Sequence, residues 1–139
     1  MAIFETQDGS HSILSEKFGV SYHSKYGAIQ ETQHVFINAG LREKALISKE
    51  ISVLDIGFGT GLNGFMTYLE AEKYNWNVNY VGIEAFPISM DEAQELNYPN
   101  TLNKPEYSED FLKMHESNWG IKLEFSEHFH FTKMKMLFE

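Results

Sequence analysis

Residues 53–63 read VLDIGFGTGLN, and the run ISVLDI at 51–56 that leads into them is β-branched and apolar. A strand of that composition fits a parallel sheet buried on both faces. Gly57, Gly59 and Gly61 then occupy every second position. Such a turn reaches φ values closed to other residues, and it lets backbone N–H groups and the start of the next helix approach a ligand. Residues 62–74 predict a helix with Leu62, Phe65, Met66 and Leu69 on one face, and VNYVGIE at 78–84 predicts a second strand. Pro87 suits the start of a further helix running to about Leu96. Strand, helix, strand is one βαβ unit with a right-handed crossover, which commits the chain to the α/β class.

The glycine spacing narrows the ligand. In open α/β folds ligands sit outside the carboxyl ends of the strands. The dinucleotide fingerprint G-x-G-x-x-G, started at Gly57, needs a glycine where Leu62 stands. There is no Gly-Lys-Ser/Thr, so a P-loop is excluded. Asp55 lies two residues before Gly57. Its charge would oppose a pyrophosphate but favour a sulfonium or an amino group. Glu84 closes the second strand, where a carboxylate can accept hydrogen bonds from both hydroxyls of a ribose. The set points to S-adenosylmethionine.

The flanks are less regular. Residues 2–6 and 10–14 surround QDG, a hairpin signal, and 20–23 read as a further short strand. From Ala28 to Ala39 apolar residues recur at helical spacing, with Gly40 placed to end the helix. Residues 97–105 read as a loop, and 106–118 as a helix with Phe111, Leu112 and Met114 inward. IKLEF at 121–125 and HFHFTKMKM at 128–136 alternate with period two and predict a terminal hairpin, its methionines inward and its lysines outward. Two parallel strands and a hairpin are few for an open α/β sheet. The expectation is therefore a partial Rossmann-like domain over 51–139, preceded by a β-hairpin and helix extension over 1–50, with the rest of the sheet beyond residue 139. An incomplete sheet exposes an edge that invites self-association.

Composition sets broad limits. The 139 residues are 42% apolar, enough for a core, and carry a formal net charge of −9, which argues against non-specific nucleic-acid binding. The absence of cysteine excludes disulfides and cysteine-ligated metals and fits a reducing compartment. With no apolar run of membrane-spanning length and no signal-peptide pattern, the chain is expected to be soluble and cytoplasmic. His128 and His130 share a strand face, but no third ligand follows, so no metal is expected.

The stretch DGSHSILSEKFGVSYHSKYGAIQETQHVFINAGL, followed by VLDIGFGTGLN and VNYVGIEAFP, resembles the bacterial tRNA 5-methylaminomethyl-2-thiouridine methyltransferases. These are the MnmD enzymes and the methyltransferase domain of the two-domain MnmC enzymes. The resemblance runs from about Asp8 to Pro87. It implies a Rossmann-like S-adenosylmethionine-dependent methyltransferase fold and N-methylation of 5-aminomethyluridine at the tRNA wobble position. It implies tRNA as substrate and an oxidoreductase domain or partner. It also implies that Gly57, Phe58, Gly59, Thr60, Gly61 and Asn63 line the cofactor, with Glu84 on its ribose. Tyr22, His23, Ser24, Gly27, Gln30 and Glu31 are implied near the cofactor or target pocket, Glu31 as an orienter of the substrate. The family's Asp-Ala-Phe-Ala-Pro-like motif, whose acid is the candidate catalytic group, is missing here, so that acid is expected beyond residue 139.

Several roles stay open on the residues themselves. Asp55 either faces the cofactor's cationic end or hydrogen-bonds the backbone of the turn. Asn63 either holds the cofactor carboxylate or is a polar residue near a helix start. Tyr22 stacks on the adenosine or belongs to the rim, and Glu31 orients an amine or faces solvent. Lys17 and Lys25 read as ordinary surface lysines or a small phosphate contact. Competing functions are a non-catalytic cofactor-fold module that serves as an interaction partner, and a methyltransferase acting on another substrate.

Overall fold

The computed structural model describes residues 2–15, 20–21 and 27–136. It begins with an antiparallel sheet of β1 (Ala2–Glu5), β2 (His11–Ser15) and β3 (Val20–Ser21), in that order. A continuous helical stretch follows: α1 (Ala28–Glu31), a π-helical segment (Thr32–Arg42) and α2 (Glu43–Ala45). Then come β4 (Glu50–Ile56), α3 (Leu62–Tyr74) and β5 (Asn77–Glu84). Three helices follow, α4 (Met90–Glu95), α5 (Tyr98–Thr101) and α6 (Ser108–Glu116). β6 (Leu123–Glu124) and β7 (Phe129–Lys135) end the described chain. The second sheet has the order β4-β5-β7-β6.

The βαβ unit forms as its sequence dictates. β4 and β5 pair in parallel from Glu50–Asn77 to Ile56–Ile83, and α3 buries Leu62, Phe65 and Met66. The expected terminal hairpin of β6 and β7 forms, and β7 has a second partner that the sequence did not specify. β7 pairs with β5 in parallel, Val78 opposite Phe129 and Glu84 opposite Lys135, and only the two-residue β6 runs antiparallel to it. Alternation fixes which residues share a face but carries no information on direction. The sheet thus has three parallel strands, and the fold is Rossmann-like α/β. Phe129 and Phe131 point into the core, where Phe131 stacks on Tyr80 with ring centroids 5.5 Å apart and planes 2° from parallel.

Four expectations change. The helix runs through Gly40, which is not among the glycines with positive φ and so cannot act as a left-handed stop. α4 starts after Ser89 rather than at Pro87. There the Ser89 hydroxyl accepts from the Glu92 N–H and the Glu92 carboxylate accepts from the Ser89 N–H, both at 3.1 Å. The segment 97–105 contains α5, which anchors the first sheet. The Asn97 amide oxygen accepts from His11 N–H and its NH₂ donates to the Gly9 carbonyl, both at 2.9 Å, while the Tyr98 hydroxyl donates to the His11 carbonyl at 2.7 Å. Finally, Lys133 is buried, 2% exposed, whereas Met136 is exposed. Near its end β7 is covered by α6 and Trp119, and the lysine is taken up there by an aromatic face and a carbonyl.

The turn between β1 and β2 is organised by Asp8. Its carboxylate accepts from the Thr6 hydroxyl (2.9 Å), the Ser10 N–H (3.0 Å), the Ser10 hydroxyl, and the Gln30 N–H of α1 (2.9 Å). Burial pushes this carboxyl up, but the bonds from Ser10, Gln30 and Thr6 outweigh it and leave it below the usual range. A carboxyl depressed in the folded state stabilises above its unfolded pKa of about 3.9 and loses that contribution as pH falls through the folded value. Asp8→Ala is therefore expected to cost about 1–3 kcal/mol at neutral pH. The difference from the parent chain should shrink in urea melts repeated below pH 4. A deficit independent of pH would contradict this role.

Candidate functional site

The turn between β4 and α3 is the structural centre of the site. Gly57, Gly59 and Gly61 all take positive φ, at 93°, 55° and 82°. The N–H groups of Gly57 and Phe58 both donate to the Ile83 carbonyl, at 2.8 and 2.9 Å, which folds the turn back over the end of β5. Gly61 then starts α3 from the left-handed region. A side chain added at Gly57 would meet nothing within 4 Å, so this part of the turn borders open space.

Glu84 ends β5 beneath that turn and is 7% exposed. One carboxylate oxygen accepts from the Gly59 N–H at 2.7 Å and the other from the Phe86 N–H at 3.1 Å. Asp55, also buried, does not bond the backbone of the turn, contrary to one of the two readings above. It accepts from the Tyr80 hydroxyl at 2.6 Å and lies 3.5 Å from the Asn63 amide nitrogen. The reason is register: Asp55 faces the same side of the sheet as Tyr80 on the neighbouring strand, and the phenol reaches it first. Burial pushes the Asp55 carboxyl above its ordinary range, against the opposing effect of the Tyr80 and Asn63 bonds. Asn63 in turn accepts from the Thr32 hydroxyl at 2.9 Å. A chain of polar contacts so runs from the helical stretch through Asn63 to β4.

A cavity of about 140 Å³ lies where these elements meet. Residues 57–60 and Asn63 line it, together with Glu31, Thr32, Val35 and Phe36. Five of the residues singled out in the turn and helix start therefore reach one cavity, and Glu31 joins them. Phe58 has a divided position: it borders the cavity, but its ring packs edge-on against His115 at 5.3 Å and Phe131 at 5.8 Å, and the residue is only 5% exposed. Asp55, Gly61 and Glu84 do not line the cavity, and of the two acids only Glu84 bonds the turn. Gln30 is exposed and outside the lining, and Gly27 is buried against the Asp8 carboxylate. Tyr22, His23 and Ser24, with Lys17 and Lys25, lie outside the described residues.

Thr32, Val35, Phe36, Tyr80 and His115 were not singled out from sequence. Tyr80 carried a faint signal, a phenol in a strand that must be buried and so needs an acceptor. The others carried none, because their roles arise from which helix crosses the turn. Among the described residues no group of three or more histidine, aspartate or glutamate side chains is placed to hold a metal ion, and no helix is long and apolar enough to cross a membrane.

No family model matches the chain. Among curated proteins, it is 33% identical over 88 residues to the tRNA 5-methylaminomethyl-2-thiouridine biosynthesis bifunctional protein MnmC of Leptospira borgpetersenii, a match covering 59% of this chain and 14% of that protein. It is 35% identical over 86 residues to the protein of the same name from Delftia acidovorans, covering 58% and 13%. The chain thus spans about one seventh of the length of these relatives. Among solved structures, the crystal structure of MnmC2 from Aquifex aeolicus superposes with a TM-score of 0.72 at 27% identity, over 96% of this chain and 42% of that one. In sequence and in fold the chain is a relative of the MnmC proteins, matched over a part of their length.

Proposed function

We propose that this chain binds S-adenosylmethionine on the glycine turn and serves N-methylation of 5-aminomethyluridine at the tRNA wobble position. The observation that carries the reading is Glu84 locked beneath the Gly59 N–H, in a turn whose outer face at Gly57 is free of side chains. The residues fit the cofactor. Gly57 offers bare backbone, Glu84 retains lone pairs for ribose hydroxyls, and Asn63 at the start of α3 can meet the cofactor's carboxylate. The cavity of about 140 Å³ is below the roughly 300 Å³ of pockets that enclose whole cofactors, so part of the ligand rests on the open face of the turn. The relatives' name supports tRNA modification as the process.

When bound, S-adenosylmethionine supplies an electrophilic methyl group on a sulfonium centre. The protein's task is to hold donor and amine in line and to exclude water. The amine must be neutral to attack, and an aliphatic amine near neutral pH is mostly protonated. Glu31, which borders the cavity, is the described carboxylate best placed to orient it and accept its proton. Asp55 lies one layer deeper. Its role is to fix Asn63 and, at the edge of the turn, to favour a cationic ligand.

The test is transfer of a labelled methyl group from S-adenosylmethionine to tRNA carrying 5-aminomethyluridine, with fully modified tRNA as control. Label in the hypomodified tRNA alone is expected. A folded chain that binds the cofactor without transferring would instead favour a second reading, a cofactor-binding module without catalysis.

A further inference from the structure

The glycine turn has a weak point that the glycines themselves create. Thr60 stands between Gly59 and Gly61, both at positive φ, and glycine on each side leaves the intervening peptide planes free to rotate. A turn that samples several plane orientations pays for ordering them when a ligand binds. The Thr60–Gly61 peptide is nevertheless tied at both ends. Its N–H donates to the Phe58 carbonyl at 2.9 Å, a bond within the turn, and its carbonyl lies 2.9 Å from His115 Nε2, fifty-five positions away on α6.

We propose that His115 is a positioning residue for the ligand-binding turn: its Nε2–H, donated to the Thr60 carbonyl, holds that peptide plane in the orientation that receives the cofactor. The proposal rests on the reading of the turn as a cofactor site.

The surroundings of His115 support a fixed donor. A carbonyl oxygen can only accept, so the nitrogen facing it carries the hydrogen. Burial lowers the imidazole pKa to about 4, with the Thr60 contact opposing and the Lys133 charge assisting, so the ring is neutral at neutral pH. Phe58 and Phe111 hold the ring edge-on, with centroids at 5.3 and 5.0 Å. The His115 main-chain carbonyl accepts from the Lys133 Nζ at 2.7 Å, and that ammonium sits 4.3 Å from the centre of the Trp119 ring. The end of α6 is thereby fastened to β7. His115 does not line the cavity, so it acts through the turn and not on the ligand.

Two replacements of similar bulk separate donation from packing. His115→Gln keeps an N–H donor, and His115→Met fills the space without one. In the ligand-free protein, NMR relaxation dispersion at the Gly59 and Gly61 amides is expected to be flat for the parent chain and His115→Gln and to show exchange for His115→Met. In titrations with S-adenosylhomocysteine, His115→Met is expected to bind about tenfold more weakly, one lost hydrogen bond, and His115→Gln within about threefold of the parent. Equal dispersion and equal affinity in the two variants, whether both normal or both impaired, would overturn the proposal. A parent chain that is folded but binds no ligand would refute the cofactor reading, and the dispersion data would still decide the role of His115.

Discussion

Gly61→Ala should destabilise the protein by about 2–5 kcal/mol, the largest loss expected from any single methyl group in the turn. Two effects add. Gly61 has φ of 82°, where an L-residue costs about 1–2 kcal/mol. The new Cβ would also lie 2.7 Å from His115 Nε2 and 3.1 Å from Phe58 Cζ, both held by their own packing. Overpacking of that kind costs about 1–3 kcal/mol. Gly57→Ala is the natural control. Its φ of 93° brings the same backbone strain, but its Cβ meets nothing within 4 Å, so only about 1–2 kcal/mol should be lost. Urea denaturation midpoints for the two variants measure the difference. Equal losses would mean that the contact with His115 is not as close as described.

Glu84→Ala should have the largest effect on ligand binding, a fall of about 100-fold or more, from loss of charge-assisted hydrogen bonds. The carboxylate now shapes the turn through Gly59 and Phe86, and it is the group assigned to the ribose. Its removal takes the acceptor from the buried Gly59 N–H and one bond from the part-buried Phe86 N–H, at a cost of about 1–3 kcal/mol in stability. Glu84→Gln retains one acceptor oxygen and should recover part of each loss. The informative comparison is between stability and affinity, taken from chemical denaturation and from titration with S-adenosylhomocysteine. A variant that loses stability but binds as the parent does would separate Glu84 from the ligand.

The glycine turn and its acid were legible because their constraint is local. Positive φ at alternating positions demands glycine, and the end of a parallel strand is where an open α/β fold receives ligands. The helix after the turn was equally plain, since Leu62, Phe65 and Met66 repeat at its period and are buried. What failed to show was decided by distant chain. The HFHFTKMKM strand has the same alternation whether it runs parallel or antiparallel to β5. Lys133 is buried in that strand because Trp119 and the end of α6 cover it, which nothing within KMKM announces. Gly40 looked like a stop signal, yet the helical stretch passes through it, because packing of Ile37 and Leu41 in the core holds both sides. Of the two roles open to Asp55, the bond to the backbone of the turn gave way to one from Tyr80. Choosing between backbone and Tyr80 required the β4–β5 register.

The reading as a whole stands on the turn at residues 57–61 together with Glu84 holding an adenosine-bearing methyl donor. Isothermal titration of S-adenosylmethionine into the folded chain tests this most directly, with Glu84→Ala titrated alongside. The account predicts saturable one-to-one binding to the parent chain and strongly weakened binding to the variant. A parent chain that is folded by circular dichroism yet releases or absorbs no heat at any of several temperatures, or equal affinity in both chains, would contradict it.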